Sequence, residues 1–548
     1  MAASTRHDTT DRGCRQQPDA TLTAVLEYLS SGQGDGRAQG SGDAGAVEQI
    51  ETHLSHVFLC GDLVFKLLKP VKFAFVDFST VDRRRDECRA EVELNRALAA
   101  DVYLSAEPVW RLASGGVRIG GDRAADGAIV DWAVKMRRLP ADRTLDALVR
   151  RGEATADHVA DLAATLCEFY ASATRSTLTA IEYVAAVEHH VRDNFAELSR
   201  GEHSIPTCTV ARVHAAQLTT LAICRSWFHE RVEKNRVVEG HGDLRPEHVY
   251  FMPRPTAIDC LAFSRELRTL DAADEVAFLA MELQRMGACD LATAFVGKYE
   301  RISGDRPPAG LWDFYRAYRA CVRAKVAVLR AGQLDEPQRA AERAAALEYL
   351  ELADQQSRRL QRPLCIIVRG LSGTGKSTLA AALAEKLGAT HLQTDRVRRQ
   401  FFPGATPATY GQGCYTTAAR GMVYDAMLAQ AREFLAQRIP VVLDGTFLAA
   451  RSRMSVGDAT RNGATAVMLV CRCPMEVAAR RIADRAAETQ SEEHAASDAS
   501  EVTLRRQTTD EEPDGTSQAS TAIDTTLPIE LQIEAAVDAI RSAASRCV

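Results

Sequence analysis

The run Gly370-Leu371-Ser372-Gly373-Thr374-Gly375-Lys376-Ser377 fits the pattern G-x-x-x-x-G-K-[ST] without a mismatch. Glycines at these spacings let successive backbone N–H groups close around a phosphate chain. A helix starting at the last of them adds the positive end of its dipole. The expected cradle is Gly370, Ser372, Gly373, Thr374, Gly375 and Thr378, with Lys376 on the β/γ-phosphates of ATP and Ser377 on Mg²⁺. A second constellation lies upstream, His241-Gly242-Asp243-Leu244-Arg245-Pro246-Glu247-His248, followed by Ala257-Ile258-Asp259-Cys260. A hairpin between them would bring two acids to one Mg·ATP, Asp243 facing a substrate hydroxyl and Asp259 on the metal. Taken alone, such loop–strand pairs also occur as plain turns. In Leu63-Val64-Phe65-Lys66-Leu67-Leu68 a lysine sits inside an apolar strand pattern, and a buried lysine needs a partner. The helical stretch 83–100 offers Glu87 and Glu91, and a strand lysine paired with a helix glutamate can hold α/β-phosphates. The alternative for Lys66 is an edge lysine reaching to water.

Three further signals follow the glycine-rich run. Val441-Val442-Leu443-Asp444 is an apolar strand pattern ending in an acid, placed to orient a Mg²⁺ shell or else to cap a turn. Asp395 follows His391-Leu392-Gln393-Thr394 at the expected end of a strand, where it can take a proton from an attacking hydroxyl or cap the next helix. Arg398, one turn on, reads as a clamp for an anionic substrate group or as a solvated helix face. Arg480, Arg481 and Arg485 precede a polar segment, with Arg481 and Arg485 on one helix face. They read as a lid over a transferring phosphate or as a charged surface.

These residues need elements to carry them. Leu364-Cys365-Ile366-Ile367-Val368 is a short buried-strand run, and Leu379, Leu383 and Leu387 mark a helix that Gly388 stops. At 548 residues the chain is too long for one core. Expected boundaries are a tail with a short helix (22–29) and a Gly/Ser-rich stretch over 1–45, one domain over 46–355 and another over 363–548, the break falling near 360. The formal net charge of −6 argues against a broad basic face for nucleic acid or an anionic membrane. It leaves a nucleic-acid substrate open for the carboxy-terminal half alone. No apolar run approaches the roughly 20 residues of a membrane span, and the first residues lack the apolar core of a secretory signal. The 14 cysteines are scattered; Cys471 and Cys473, beside an apolar strand pattern, read as buried thiols, and the expected setting is a reducing cytoplasm.

GLSGTGKST, TDRVRR, VVLDGTF and ARRIADR resemble the phosphate-loop kinase superfamily, which includes polynucleotide 5′-hydroxyl kinases, gluconate-type sugar kinases, chloramphenicol phosphotransferase and zeta toxins. The same segments fit an AAA-type ATP-binding domain. That resemblance implies Asp395 as base, Asp444 as metal-site acid and Arg481 or Arg485 as lid arginine. HGDLRPEHV, AIDCLAFSRELRTLDAADEVAFLAMEL and the stretch with Lys66 and Glu91 resemble the aminoglycoside phosphotransferases, a branch of the protein-kinase-like fold. This implies Asp243 as catalytic acid–base group, Asp259 on metal, Asp271 or Asp274 as a structural acid, and Trp132 to Met136 as the strand and hinge holding adenine. The pattern departs from that family at His248, where an asparagine metal ligand is usual, and at residues 51–57, where a Gly-rich loop is expected. Neutral imidazole can coordinate, but Mg²⁺ prefers oxygen ligands.

The expected fold is thus α/β and α+β in two domains: a bilobal protein-kinase-like domain, then a doubly wound parallel sheet of the phosphate-loop NTPase type with helices on both faces. The expected function is a bifunctional kinase moving the ATP γ-phosphate to hydroxyls of small molecules with Mg²⁺. One alternative is a single active phosphate-loop kinase with an amino-terminal nucleotide- or metabolite-binding module. A further one is an ATPase switch with no acceptor but water.

Overall fold

The computed structural model describes residues 20–30, 47–52, 54–73, 76–113, 115–121, 127–360, 362–403, 410–460, 463–488, 500–513 and 520–545. The tail at 1–19, most of the Gly/Ser-rich stretch (31–46) and the polar segments 489–499 and 514–519 lie outside them. By packing, the chain forms two compact units, residues 1–175 with 237–305 and residues 176–236 with 306–548. No helix of the described residues is long and apolar enough to cross a membrane.

In the first unit, six antiparallel strands run in the spatial order Glu48–Glu51, Ser55–Cys60, Leu63–Leu68, Gly127–Arg137, Tyr103–Leu112, Val117–Ile119. Side chains alternate across a strand, and here both faces are covered. Phe65 and Leu67 point to a cluster with Phe58, Val109 and Ala133, roofed by Val25 and Leu29 of the helix Ala20–Ser30. Val64 and Leu68 point the other way, to Cys88 and Val92 of the helix Val81–Ala99. Lys66 lies between them on that second face, so period-2 geometry aims the lysine at the helix. The helix starts at Thr80, whose hydroxyl accepts from the Arg83 N–H. Its buried stripe, Arg84, Cys88, Glu91, Val92, Asn95 and Ala99, carries Glu91 inward.

In the second unit, five parallel strands run in the order Thr390–Gln393, Val441–Gly445, Leu364–Arg369, Thr465–Arg472, Ser520–Asp524. The central strand is buried at every position, apolar from Leu364 to Val368 and closed by Arg369. Leu364, Ile366 and Val368 pack with Leu379, Leu383 and Leu387 of the helix Lys376–Leu387 and with Ala536 and Ile540 of the helix Ile529–Ser545. Cys365 and Ile367 pack on the opposite face with Val423, Met427 and Ala431 of the helix Thr417–Ala436. Each such leucine, isoleucine or valine contributes roughly 1.5–3 kcal/mol by leaving water. Cys471 is buried and Cys473 half-buried, both as free thiols.

The helix Thr207–Ile223, far upstream in sequence, ends with Ala222 and Ile223 in the same core. Gly388, at φ +62°, stops the phosphate-loop helix as expected, and a Cβ there would stand 3.0 Å from the Ala215 Cα. His214 on that helix is buried and stacks on Phe195, ring centroids 4.0 Å apart. Burial, with the nearby Arg192 charge, pushes its pKa down to about 4. The folded form then resists protonation that the unfolded chain accepts below its ordinary value. Stability should therefore be full at neutral pH and fall by up to about 3 kcal/mol as pH drops from about 6.5 to 4. Comparing urea midpoints at pH 7.5 and pH 5 checks this, and His214→Leu should flatten the difference.

Candidate functional site

The first unit gathers its acids and its lysine as follows. Lys66 Nζ is 2.8 Å from Glu91 Oε1 and 3.1 Å from Asp259 Oδ1. Burial alone would strip its proton, but Asp259 and Glu91 hold the ammonium well above its ordinary range. Chiefly through Lys66, Asp259 is held well below the usual carboxylate range. Val249–Met252 and Arg254–Ala257 form an antiparallel hairpin that folds the Asp243 loop back onto the Asp259 loop. The Ile258 N–H donates to the His248 carbonyl, and the Leu261 N–H to the His241 carbonyl, each at 3.0 Å. Asp259 takes φ +65°, a left-handed conformation rare for a side-chain-bearing residue, and its N–H donates to the Tyr103 hydroxyl. Next along, the Cys260 N–H donates to Asn95, so the helix carrying Glu91 also anchors the Asp259 loop.

His248 stands between the acids, its ring nitrogens 3.8 Å from Asp243 Oδ2 and 3.8 Å from Asp259 Oδ2. Its Nδ1 lies 2.9 Å from the Asp243 carbonyl and its Nε2 2.8 Å from Arg245 Nη2. This assigns the proton to Nδ1 and leaves a lone pair at Nε2. Asp243 is half-buried and accepts from Arg245 Nε at 2.9 Å. A buried acid on the helix that follows, Glu275, holds this loop. Asp271 caps the helix Ala272–Arg285, its carboxylate committed to the Ala273 N–H. Glu275, fully buried, accepts from the Gly242 N–H at 2.5 Å, the His241 N–H at 3.1 Å and the Tyr170 hydroxyl at 2.9 Å. Gly242 sits at φ +86°, where a Cβ would meet Leu261 at 2.9 Å. Met136 pairs with Val64 across the sheet and is buried in the core beside Tyr103 and Val134. The turn from Glu51 to Ser55 lies between the first two strands, closed by the Thr52 N–H donating to the Ser55 carbonyl; His53 falls outside the described residues.

In the second unit the glycine-rich run joins the central strand to its helix, as the motif requires. Gly370, Gly373 and Gly375 have φ of +154°, +80° and +80°. A Cβ on Gly373 would come 2.4 Å from the Ala478 carbonyl oxygen. Gly373→Ala should therefore cost at least about 1–2 kcal/mol in backbone strain and remove the thermal shift given by ATP, which melting curves with and without nucleotide will read. The Ser372 N–H donates to Gln507 at 2.9 Å, and Arg369, fully buried where the strand ends, pairs with Glu511 at 2.8 Å. Both partners come from the helix Glu501–Asp510 and the residue after it.

Asp444 lies one strand over from the loop and is 2% exposed. Its Oδ2 accepts from Gln393 Nε2 at 3.1 Å and is 3.4 Å from His391 Nε2. Burial would raise its pKa; His391, the Lys376 charge, the nearby Ser377 hydroxyl and Gln393 outweigh that and keep it below the ordinary value. Its Oδ1 is buried with no hydrogen-bond partner among the described residues. Arg481 comes from the helix Met475–Glu488; its Nη2 donates to the Thr525 carbonyl at 2.7 Å. Nη1 is buried, without a partner among the described residues, and would be 3.2 Å from a Cβ on Gly375. Arg485, one turn on, is exposed. Asp395 sits in the first turn of the helix Thr394–Phe401, whose cap is Gln393. It pairs with Arg398 Nη1, and the Arg398 guanidinium lies over the Tyr415 ring, 4.4 Å from its centre.

The loop, the orphaned Asp444 oxygen and the orphaned Arg481 nitrogen fit a metal-bound nucleotide. Ser377 and Asp444 would hold the ion, with Lys376 and Arg481 on phosphate oxygens. Among the described residues no three His, Cys, Asp or Glu side chains converge into a cage. Mg²⁺ needs none where phosphates supply ligands. Sequence reasoning missed Glu275, Arg245, Gln507, His391 and Gln393. All but Gln507 lie in segments it singled out, and none carries a motif of its own.

Residues 365–511 match the AAA domain family. A gluconokinase from Sinorhizobium meliloti 1021 aligns over 34% of this chain and 96% of its own at 22% identity and TM-score 0.26. A choline/ethanolamine kinase family protein from Mesorhizobium loti aligns over 61% and 99% at 12% identity and TM-score 0.34. The carboxy-terminal part carries its phosphate-loop motif between the central strand and a helix of a doubly wound parallel sheet, and the amino-terminal part sets an antiparallel sheet against the helix Val81–Ala99. "Uncharacterized protein Rv2004c" of Mycobacterium tuberculosis (strain ATCC 25618 / H37Rv) is 34% identical over 448 residues, 80% of this chain and 86% of that protein. With both halves spanned by one alignment at that identity, the chain belongs to the same family as this mycobacterial protein.

Proposed function

We propose that the protein is a bifunctional ATP-dependent phosphotransferase in which each unit moves the ATP γ-phosphate to a hydroxyl of a small molecule. The observation that carries the reading is the pair of buried, unpartnered atoms beside the phosphate loop, Asp444 Oδ1 and Arg481 Nη1. A buried polar atom left unpaired costs about 1–3 kcal/mol, and a metal-bound nucleotide is the ligand that satisfies an oxygen and a guanidinium at one loop. Mg²⁺, when bound, neutralises charge on the β- and γ-phosphates. In the second unit Lys376 and Arg481 compensate the charge spread over the transferring group. Asp395 takes the acceptor's proton, and Arg398 holds an anionic group of the acceptor. Arg485 closes over the site from the same helix face as Arg481. In the first unit Lys66, held by Glu91, positions the α/β-phosphates. Asp243 takes the hydroxyl proton, and Asp259 with His248 faces the metal.

A second reading has one specific observation in its favour. Asp243 is engaged by Arg245, and Lys66 spans both Glu91 and Asp259, so the amino-terminal acids are already paired. On that reading the first unit binds nucleotide or metabolite and only the second transfers phosphate. The test is transfer of γ-labelled phosphate from ATP into a metabolite extract by wild type, Lys376→Ala and Asp243→Ala. Loss of a different product in each variant is the expected result. Loss with Lys376→Ala alone sinks bifunctionality, and release of free phosphate alone leaves an ATPase switch.

A further inference from the structure

The phosphate loop sits where the parallel strands end. Near where they begin, the second unit has another cluster of cations. Pro363 precedes the central strand and Pro440 the neighbouring one. Beside them a shallow, solvent-open cleft is lined by Arg212, Arg358, Arg362 and Arg438. Asp354, 3% exposed, is the carboxylate among these cations. It accepts from Arg212 Nε at 2.5 Å and from Arg358 Nε at 2.8 Å. Asp354 pairs with two of the four arginines, and no carboxylate lines the cleft among the described residues.

Arg438 is held there against local preference. The helix Thr417–Ala436 closes with the Arg438 N–H on the Leu435 carbonyl and the Ile439 N–H on the Phe434 carbonyl, each at 2.9 Å. This is the Schellman pattern, and its left-handed position favours glycine. Here it is an arginine at φ +60°. Its Nη2 donates to the Arg358 carbonyl at 2.9 Å, which brings the two guanidinium-bearing residues together. Burial first, then the charges of Arg358 and Arg212, lower the Arg438 pKa. A strained side chain retained where glycine would fit points to a task for that side chain.

We propose that this cavity is an anion site for a small molecule bearing a phosphate group, distinct from the nucleotide cradle. Arginine forks match phosphate oxygens two at a time, and an anion there relieves the repulsion among the four cations. The same chemistry serves free phosphate and a phosphomonoester. Hydrogen–deuterium exchange on the full chain, with inorganic phosphate and with glycerol 3-phosphate as separate probes, tests it. Added probe should protect residues 354–360 and 434–441. Equal protection by both probes assigns free phosphate; stronger protection by glycerol 3-phosphate assigns an esterified ligand. Arg438→Gly suits the left-handed backbone and should melt at or above wild type, yet need at least about tenfold more probe for half-protection. Exposed Arg362→Ala should weaken binding several-fold with no change in melting. Absence of protection in wild type overturns the proposal, and so does undiminished protection in both variants.

Discussion

Lys376→Ala should lower transfer at the carboxy-terminal site by about 10²–10³-fold, while the product that depends on Asp243 is made at the wild-type rate. The magnitude follows from removing one preorganised charge from a dry phosphate site. Two features of the fold sharpen it. Lys376 opens the helix Lys376–Leu387 directly behind Gly375, so no other cation of the loop can substitute for it. Its charge also helps hold the buried Asp444 ionised. The variant therefore weakens the acid as well as the phosphate contact. Single-turnover transfer from γ-labelled ATP separates the loss of chemistry from any change in product release. Unchanged helix content by circular dichroism will exclude unfolding as the cause. Loss of both products together would mean that the amino-terminal unit depends on the second one.

Glu275→Ala should be the most destabilising change in the first unit, at about 3–5 kcal/mol, and should also remove the Asp243-dependent product. Glu275 satisfies two backbone N–H groups, of His241 and Gly242, and the Tyr170 hydroxyl in the interior. Truncation leaves all three buried without an acceptor, at about 1–3 kcal/mol each before relaxation. It also frees the loop whose next residue is Asp243, and an error near 1 Å there is costly to a proton transfer. Glu275→Gln keeps one acceptor oxygen but turns an N–H group toward backbone donors, so it should recover only part of the stability. Urea transitions of the two variants give the energies, and the label assay gives the activity. A Glu275→Ala protein as stable as wild type would show that water replaces the carboxylate and that the loop needs no such anchor.

The contrast between Glu275 and its neighbours shows where reading the sequence stops. Asp271, Asp274 and Glu275 lie within five residues, and composition cannot rank them. Helix phase separates two of them: Asp271 falls at the cap, where its carboxylate accepts from the Ala273 N–H, while Glu275 falls on the face turned to the loop. Arg481 and Arg485 divide in the same way. They share a face in sequence, but one is half-buried against the loop at Gly375 and the other is exposed.

What the sequence by itself determined is the chemistry written in contiguous residues. A phosphate cradle needs glycines at fixed spacing and a helix behind them, and both are local. The alternation in Leu63–Leu68 already put Lys66 on one face, and the periodicity of residues 83–100 put Glu91 on a stripe, so their meeting at 2.8 Å was legible. Tertiary structure alone decided the rest. The helix Thr207–Ile223 closes the phosphate-loop core from more than a hundred residues upstream, because the apolar face of Leu379, Leu383 and Leu387 must be covered by whatever packs best, whatever its place in the chain. It decided that Asp444 keeps one oxygen unpaired and that Arg245 reaches Asp243. Burial and hydrogen-bond partnership are properties of the assembled core, and no window of sequence contains the atoms that set them.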